Sequence, residues 1–321
     1  MTATLRAPTR EFRTMIMDWR RWDEFAARPD DIVVATYPKC GTTWTQRIVD
    51  LLVFQSPDPR PIMDNAPWLD STIFAPIEDM RAVLEAQTHR RSVKSHLPLD
   101  ALPIYEGVKY IHVARDGRDA CVSMHNHMLG MRPEAMIAAA MQAAADPRMP
   151  RGAGRPEIPQ DPREWYLGWI GRAEAEVVDG YGVDLPFFDY ENTYWRERRQ
   201  PWLLMVHYND LKADLVGEMR RISRFLEIET PDSVMDELAQ AARFETMKAQ
   251  GDEILPNIGT HFDRGADRFL HKGTNGRWKD FLSADDLARY DALVKAKFTP
   301  AEAAWIEHGR LTAGDPREAA D

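Results

Sequence analysis

The sequence is poor in cysteine and contains no long hydrophobic run. Its 321 residues include two cysteines, Cys40 and Cys121, which lie far apart in segments expected to form regular structure. Two such thiols cannot build the disulfide framework of a small secreted domain, so a reducing compartment is favoured. No apolar stretch approaches the roughly 18 residues of a membrane-spanning helix, and residues 1–13 lack the hydrophobic core of a signal peptide. These absences predict a cytoplasmic protein without membrane insertion.

Positive charge is also in short supply. There are 41 Lys and Arg residues against 51 Asp and Glu residues, which gives a formal net charge of −10. This balance argues against binding to nucleic acid or to an anionic membrane surface, because both attract positively charged proteins. A small anionic ligand is still compatible with it, provided that a few cations gather at one place.

The length and composition favour a single domain over residues 1–321. Hydrophobic residues make up 44% of the chain, which is enough for a large packed core. No change in composition is strong enough to mark a domain boundary. Within residues 131–164 the sequence turns from Met- and Ala-rich to Pro- and Gly-rich, which predicts a helix followed by a mobile loop.

The stretch from residue 31 to residue 54 changes character halfway through. Residues 32–35 are β-branched or small and apolar, and apolar residues from Trp44 onward recur at helical spacing. Residues 37–43, which we call the anion loop, join this strand to the helix and contain Lys39, Gly41 and two threonines. A cation, a permissive glycine and free N–H groups at a helix N-terminus are typical of an anion site.

The anion loop does not have the order of a Walker loop. The Walker pattern places glycines before its lysine, whereas here Lys39 precedes Gly41 and no glycine stands upstream. A conventional ATPase or GTPase is therefore disfavoured.

Strand and helix patterns alternate along the chain. Further strands are predicted over residues 91–96, 108–114 and 202–207, and helical patterns cover residues 210–225 and 233–250, whereas residues 251–270 show no periodicity. Alternation of this kind predicts an α/β fold with a central, mostly parallel sheet of four to five strands and helices on its faces. The anion loop would then form a P-loop-like strand–loop–helix motif at one edge.

Two reactive side chains lie near the end of one predicted strand. Lys94 and His96 alternate along one strand, so they share a face at its carboxyl end, where open α/β sheets place their chemistry. His125 and His127 do not indicate a metal, because residues two apart on a helix point in different directions.

Five segments resemble the cytosolic sulfotransferase family, whose members use 3′-phosphoadenosine 5′-phosphosulfate (PAPS) as donor. They occur in the family's order between residues 32 and 279, and they read TYPKCGTTW, KSHLP, YIHVARDGRDACVS, HYNDLKADL and HKGTNGRWK. Agreement of five ordered motifs is far more specific than any one of them. The resemblance implies a soluble enzyme that releases 3′,5′-ADP and needs no metal.

The resemblance also assigns donor-binding roles. The 5′-phosphosulfate would be wrapped by Lys39, Cys40, Gly41, Thr42 and Thr43. The adenine would lie against Trp44 and Tyr208, and the 3′-phosphate would be held by Arg115, Ser123, His271, Lys272 and Gly273. Residues 251–279 would form a C-terminal lid that carries the nucleotide loop.

The resemblance places the chemistry on three residues. His96 would be the base that takes the acceptor's proton, while Lys39 and Lys94 would stabilise the sulfuryl group and the bridging oxygen. The acceptor would be a small, largely apolar phenol, alcohol or amine. Its pocket wall would come from residues 131–165 and from Met63, Pro67, Trp68, Phe74 and Met124, although the Pro-rich stretch 56–77 fits a buried connection equally well.

Three departures from the family pattern stand out. Cys40 replaces a common serine, and His271 replaces an arginine, which removes a permanent charge or makes it pH-dependent. The family's dimer motif would fall on Lys279, Ser283, Ala284 and Ala288, and three of these four positions differ, so the oligomeric state is open. The alternatives are an atypical ATP-dependent kinase and a non-catalytic nucleotide-binding protein.

Overall fold

A four-stranded parallel sheet forms the centre of the molecule. We analysed a computed structural model, which describes residues 2–145, 147, 157–175 and 185–320. The strands are β1 (Thr4–Arg6), β2 (Ile32–Ala35), β3 (Ser92–Ser95), β4 (Ile104–Tyr105), β5 (Lys109–Ala114) and β6 (Leu203–His207). The sheet has the order β3-β2-β5-β6, and all three pairings are parallel. β1 and β4 form a separate antiparallel pair. The α/β fold with a mostly parallel sheet is therefore confirmed.

Sixteen α-helices surround the sheet in the described part of the chain. The first eight are α1 (Thr42–Phe54), α2 (Ile62–Asn65), α3 (Ile77–Ala86), α4 (Gly117–Gly130), α5 (Pro133–Ala144), α6 (Pro162–Glu174), α7 (Phe187–Trp195) and α8 (Tyr208–Ala213). The second eight are α9 (Leu215–Phe225), α10 (Asp232–Ala241), α11 (Phe244–Ala249), α12 (Gly251–Ile254), α13 (Gly265–Phe269), α14 (Ala284–Lys297), α15 (Pro300–His308) and α16 (Arg310–Ala313). Short 3₁₀ helices cover Trp19–Glu24, Leu99–Ala101, Ile258–Thr260 and Arg277–Asp280.

The sheet is buried on both faces, and alternate residues of each strand enter different cores. Val33 and Ala35 pack into a core with residues of α6, α7, α14 and α15. Ile32 and Val34 pack instead against α1, α9 and α10. Both faces need apolar residues because helices cover both, which explains the continuous apolar runs of the strands.

Several helix predictions are wrong in detail. Residues 210–225 do not form one helix, because Asp214 leaves the helical conformation and its side chain accepts a hydrogen bond from the Gly217 N–H at 2.9 Å. Residues 233–250 are likewise divided between α10 and α11 by the extended backbone of Arg243. Residues 251–270 do contain helices, but those are too short to produce a periodic pattern. The predicted mobile loop lies mainly outside the described residues.

The four parallel strands deliver residues to one edge of the sheet. β2 leads into the anion loop and β3 into His96, while β5 leads into Arg115 and β6 into Tyr208. Because parallel strands end on the same side, the register brings residues distant in sequence to one place.

Candidate active site

The anion loop turns sharply so that α1 begins at Thr42. Gly41 has φ of 117°, a conformation that favours glycine, and a Cβ there would come within 3.0 Å of the Tyr208 ring. Lys39 has φ of 72°, which is unusual for a residue with a side chain. The hydroxyls of Thr36 and Thr42 are 2.6 Å apart and tie the strand to the helix start.

Lys39 lies beside other cations. Its Nζ is 3.2 Å from His127 Nδ1 and 5.0 Å from the centre of the Phe269 ring. Burial, with Lys94 and Arg115 nearby, lowers the pKa of Lys39 to about 7. Several cations held together out of water favour the binding of an anion between them.

Lys94 is buried between an aromatic ring and a carboxylate. Its Nζ lies 4.4 Å from the centre of the Trp68 ring, and the buried Asp70 is its main electrostatic partner. Burial lowers the pKa of Lys94 to about 8, against the opposing effect of Asp70. Asp70 also accepts hydrogen bonds from the Trp68 indole at 2.7 Å and from the His96 N–H at 3.2 Å, so it organises this side of the site.

His96 is fixed in the tautomer that a base requires. Its Nδ1 lies 2.8 Å from the carbonyl oxygen of Thr36, and only a protonated Nδ1 can bond to that acceptor. The lone pair is therefore on Nε2. Burial, together with Lys94 and Lys39, lowers the pKa of His96 well below its usual value, so the ring is neutral near pH 7.

Cys40 faces away from the anion loop's open side. Its side chain is fully buried in the core that contains Val33 and Ala35, and burial raises the pKa of its thiol. A thiol behaves there as a small apolar group. The presence of Cys40 in place of the family's serine therefore affects core packing, whereas the backbone donors of the anion loop are kept.

Arg115 connects the anion loop with residues 271–279, which we call the C-terminal loop. Its Nη1 donates to the Lys39 carbonyl at 3.2 Å, and its Nη2 donates to Asn275 Oδ1 at 2.6 Å and to the Thr274 carbonyl at 3.0 Å. The guanidinium also lies 4.2 Å from the centre of the Tyr208 ring. Segments from three parts of the chain thus meet at one guanidinium.

Ser123 lies on the face of α4 that borders the site. Asp119, one turn earlier, accepts a hydrogen bond from the Gly276 N–H at 2.7 Å, and His127, one turn later, contacts Lys39. Residues four apart on a helix share a face. Ser123 therefore lies between the C-terminal loop and the anion loop, while His125 points elsewhere and bonds to the Pro159 carbonyl.

The C-terminal loop packs on α8. The Gly273 carbonyl accepts hydrogen bonds from the Tyr208 hydroxyl at 3.1 Å and from Lys212 Nζ at 3.0 Å. Lys272 is exposed, and His271 is half-buried. Burial and the neighbouring Arg277 and Lys272 lower the pKa of His271 to about 4, so this ring is neutral near pH 7.

The rings of Trp44 and Tyr208 pack edge to face between the anion loop and the C-terminal loop. Their ring centres are 5.4 Å apart at an interplanar angle of 72°, and the Trp44 indole donates to the Ala242 carbonyl at 2.7 Å. The anchored indole presents a fixed edge beside the nucleotide position that the sequence predicts.

An open cleft of about 250 Å³ is lined in part by Trp68, whose ring lies 4.4 Å from Lys94 Nζ and 4.9 Å from the His96 ring. Its lining includes four residues of the predicted acceptor wall, Met63, Pro67, Trp68 and Phe74, together with Asp64, Asp79, Met80, Val83, Pro256, Asn257, Ile258, Thr260 and His261. Met124 is not part of this lining among the described residues; it lies on α4 next to Ser123. The lining of the cleft therefore combines apolar and polar side chains.

The sequence predictions miss three side chains that shape this site: Asp70, His127 and Asn275. The position of His127 could have been predicted, because it follows Ser123 by one helical turn and therefore lies on the same face of the helix. Asp70 and Asn275 belong to irregular segments without periodicity, so only the fold brings them here.

The geometry defines a group-transfer enzyme with an anionic donor. A neutral histidine with a free Nε2 stands beside two lysines at the end of a parallel sheet, and Trp68, which contacts the histidine ring, lines an open cleft.

Comparison with known proteins defines the family. The sulfotransferase domain matches residues 29–301. The chain is 35% identical over 313 residues to a glycolipid sulfotransferase of Mycobacterium bovis, with 93% of this chain and 94% of that protein covered. It is 27% identical over 297 residues to sulfotransferase 1B1 of Canis lupus familiaris, with 89% of each covered. This chain therefore belongs to the sulfotransferase family.

Solved structures agree with this fold. Retinol dehydratase in complex with retinol and PAP superposes with a TM-score of 0.65 at 22% identity, over 87% of this chain and 83% of that one. Mouse sulfotransferase SULT7A1 complexed with PAP gives a TM-score of 0.57 at 22% identity, over 86% of each chain. The predicted family and sulfotransferase activity are confirmed, and the kinase and non-catalytic alternatives lose their support.

Proposed function

We propose that this enzyme transfers the sulfuryl group of PAPS to a hydroxyl of an amphiphilic acceptor, with His96 as the base. The observation that carries this proposal is the hydrogen bond from His96 Nδ1 to the Thr36 carbonyl at 2.8 Å, which leaves Nε2 free beside Lys94. A base needs both the correct tautomer and a position beside the reacting group.

The proposed reaction moves one proton and one sulfuryl group. His96 Nε2 takes the acceptor's hydroxyl proton as its oxygen attacks sulfur, and the bond from sulfur to the 5′-phosphate oxygen breaks. Lys39 and Lys94 stabilise the charge that develops on the transferred group and on the leaving oxygen. The anionic donor also raises the basicity of His96, because it offsets the two lysines that lower its pKa.

The two loops are suited to the two ends of the donor. The anion loop offers backbone N–H groups and Lys39 to the 5′-phosphosulfate, whereas Arg115 and the face of α4 with Ser123 suit the 3′-phosphate. Trp44 and Tyr208, whose rings contact each other, would together offer an aromatic surface to the adenine. His271, which is neutral near pH 7, would contribute a hydrogen bond to the 3′-phosphate, while Lys272 and Gly273 would contribute a charge and a backbone donor.

The acceptor is inferred from the cleft. Trp68 and Phe74 provide apolar surface, and Asp64, Asp79 and Thr260 provide polar groups that suit hydroxyls. The mycobacterial relatives are named glycolipid sulfotransferases, which agrees with an acceptor that has both an apolar and a hydroxylated part. Alkyl glycosides should therefore be better acceptors than unsubstituted phenols of similar size.

We infer further that the chain acts as one catalytic domain, with residues 251–279 closing over the donor. Contacts of the C-terminal loop with Arg115, Asp119 and Tyr208 support this role. No helix in the described ranges is long and apolar enough to cross a membrane. A cytoplasmic location remains part of this proposal.

The test is substitution of the base. His96→Ala should lower kcat about 100- to 10,000-fold, the usual contribution of general base catalysis. Release of 3′,5′-ADP in the presence of an alkyl glycoside measures the rate, and calorimetric titration with 3′,5′-ADP measures donor-site binding, which should change little.

His308→Ala is the matched control, because this histidine is exposed at the end of α15. It should retain full activity. A His96→Ala enzyme that transfers sulfate as fast as the native enzyme would remove the assigned base.

A further inference from the structure

Arg277 occupies a position in the C-terminal loop that is fixed by its neighbours. The preceding Gly276 donates its N–H to Asp119 at 2.7 Å, and Asn275 accepts from Arg115 at 2.6 Å. Gly276 has φ of 77° and directs the chain into the short 3₁₀ helix that begins at Arg277. The side chain of Arg277 therefore starts beside Arg115 on the donor side of the site.

Arg277 and its charged neighbours, Arg115 and Asp119, together carry more positive than negative charge. Burial and then Arg115 lower the pKa of Arg277, whereas Asp119 and the Tyr208 hydroxyl oppose them. Its Nε is buried without a hydrogen-bond partner among the described residues. Arg277 as a whole is half-buried, and an unsatisfied buried guanidinium nitrogen is costly unless a ligand completes its bonds.

Asp119 does not neutralise this cluster. Its carboxylate already accepts from the Gly276 N–H, and burial raises its pKa. Two guanidinium groups and one carboxylate leave a net positive charge beside Ser123. Oxyanions such as phosphate match the planar donors of arginine.

We propose that Arg277 binds the 3′-phosphate of the donor together with Arg115, and so supplies the positive charge that His271 does not carry. This inference rests on the proposed donor, PAPS. It makes Arg277 a determinant of the preference for nucleotides that carry a 3′-phosphate over those that do not.

The test compares two ligands that differ by that phosphate. Arg277→Gln should weaken binding of 3′,5′-ADP about 10- to 100-fold, the range of one charged hydrogen-bonding interaction. Binding of 5′-AMP should change less than about twofold, since no contact with Arg277 is lost. Calorimetric titration of the full chain measures both constants, and thermal unfolding confirms that the variant is folded.

Lys279→Gln is the matched control, because it removes the same charge from an exposed position in the same loop. It should leave both affinities close to those of the native enzyme. A second variant, Arg277→Gln combined with His271→Arg, should regain part of the lost affinity, since it restores a charge at the other end of the loop.

The outcomes separate this inference from the proposed function. Equal losses for 3′,5′-ADP and 5′-AMP, or no loss at all, in Arg277→Gln would overturn the role of Arg277 while leaving the donor assignment intact. A native enzyme that binds 5′-AMP as tightly as 3′,5′-ADP would instead overturn both.

Discussion

Lys39 loses its proton more readily than an ordinary lysine, because it is buried beside other cations. Without the donor, burial and two neighbouring cations lower its pKa to about 7, while the pKa of Lys94 is lowered to about 8. The charged form of Lys39 is therefore complete only below neutrality and is lost as the pH rises. A bound phosphosulfate would reverse this effect by favouring the cation.

This titration predicts a pH dependence for donor capture. The value of kcat/KM for PAPS should fall as the pH rises above about 7, whereas kcat at saturating donor should stay level to higher pH, because the complex keeps Lys39 charged. In Lys39→Arg the fall should begin nearer pH 8, where Lys94 titrates. Initial rates across the pH range measure both parameters; an unshifted profile in Lys39→Arg would contradict the assignment.

At the scale of elements, the C-terminal loop depends on one glycine. Gly273 has φ of 62°, and a Cβ there would come within 2.9 Å of the Phe244 ring. Its carbonyl is held by Tyr208 and Lys212. The backbone conformation and the close contact together fix the path of the loop over α8.

Gly273→Ala should therefore weaken 3′,5′-ADP binding more than it destabilises the protein. The left-handed backbone costs an alanine about 1–2 kcal/mol, and the contact with Phe244 displaces the loop as well. Gly314→Ala is the control, because Gly314 has φ of 93° but no other atom lies within 4 Å of the place that a Cβ would take. Titration calorimetry and thermal unfolding compare the two, and equal effects on binding would contradict this account.

The elements also show what the sequence could and could not predict. The strands are predictable because a sheet covered on both faces demands continuous apolar runs, as in residues 32–35. The break at Asp214 is not predictable from the sequence. An aspartate side chain can either stay on a helix surface or accept a hydrogen bond from a nearby backbone N–H, as Asp214 does from Gly217, and the pattern of residues does not decide between the two. The partnership of Lys39 with His127 depends on tertiary packing alone.

At the scale of the whole molecule, a buried carboxyl group links stability to pH. Glu302 is 1% exposed and packs near the buried Glu191, which is bonded to His112 at 2.8 Å. Burial and then Glu191 raise the pKa of Glu302 to about 8, from 4.5 for the free side chain. The folded protein therefore holds this proton at neutral pH, while the unfolded chain releases it.

Stability should consequently decrease as the pH rises from about 4.5 to about 8, by on the order of 1.4 kcal/mol for each pH unit from this one group. The side chain in Glu302→Gln has no proton to release. The free energy of unfolding in urea should therefore depend less on pH in this variant, and near pH 8 it should exceed that of the native protein. Glu237→Gln, an exposed change on α10, should preserve the native slope. Parallel slopes for all three proteins would contradict the prediction.

The burial of Cys40 has a consequence for chemical durability. Oxidants and alkylating reagents attack the thiolate, and the raised pKa and complete burial of this thiol deny them both the reactive form and access. Cys121 is protected in the same way. The enzyme should therefore retain its activity after an exposure to peroxide that inactivates enzymes with an accessible active-site thiol.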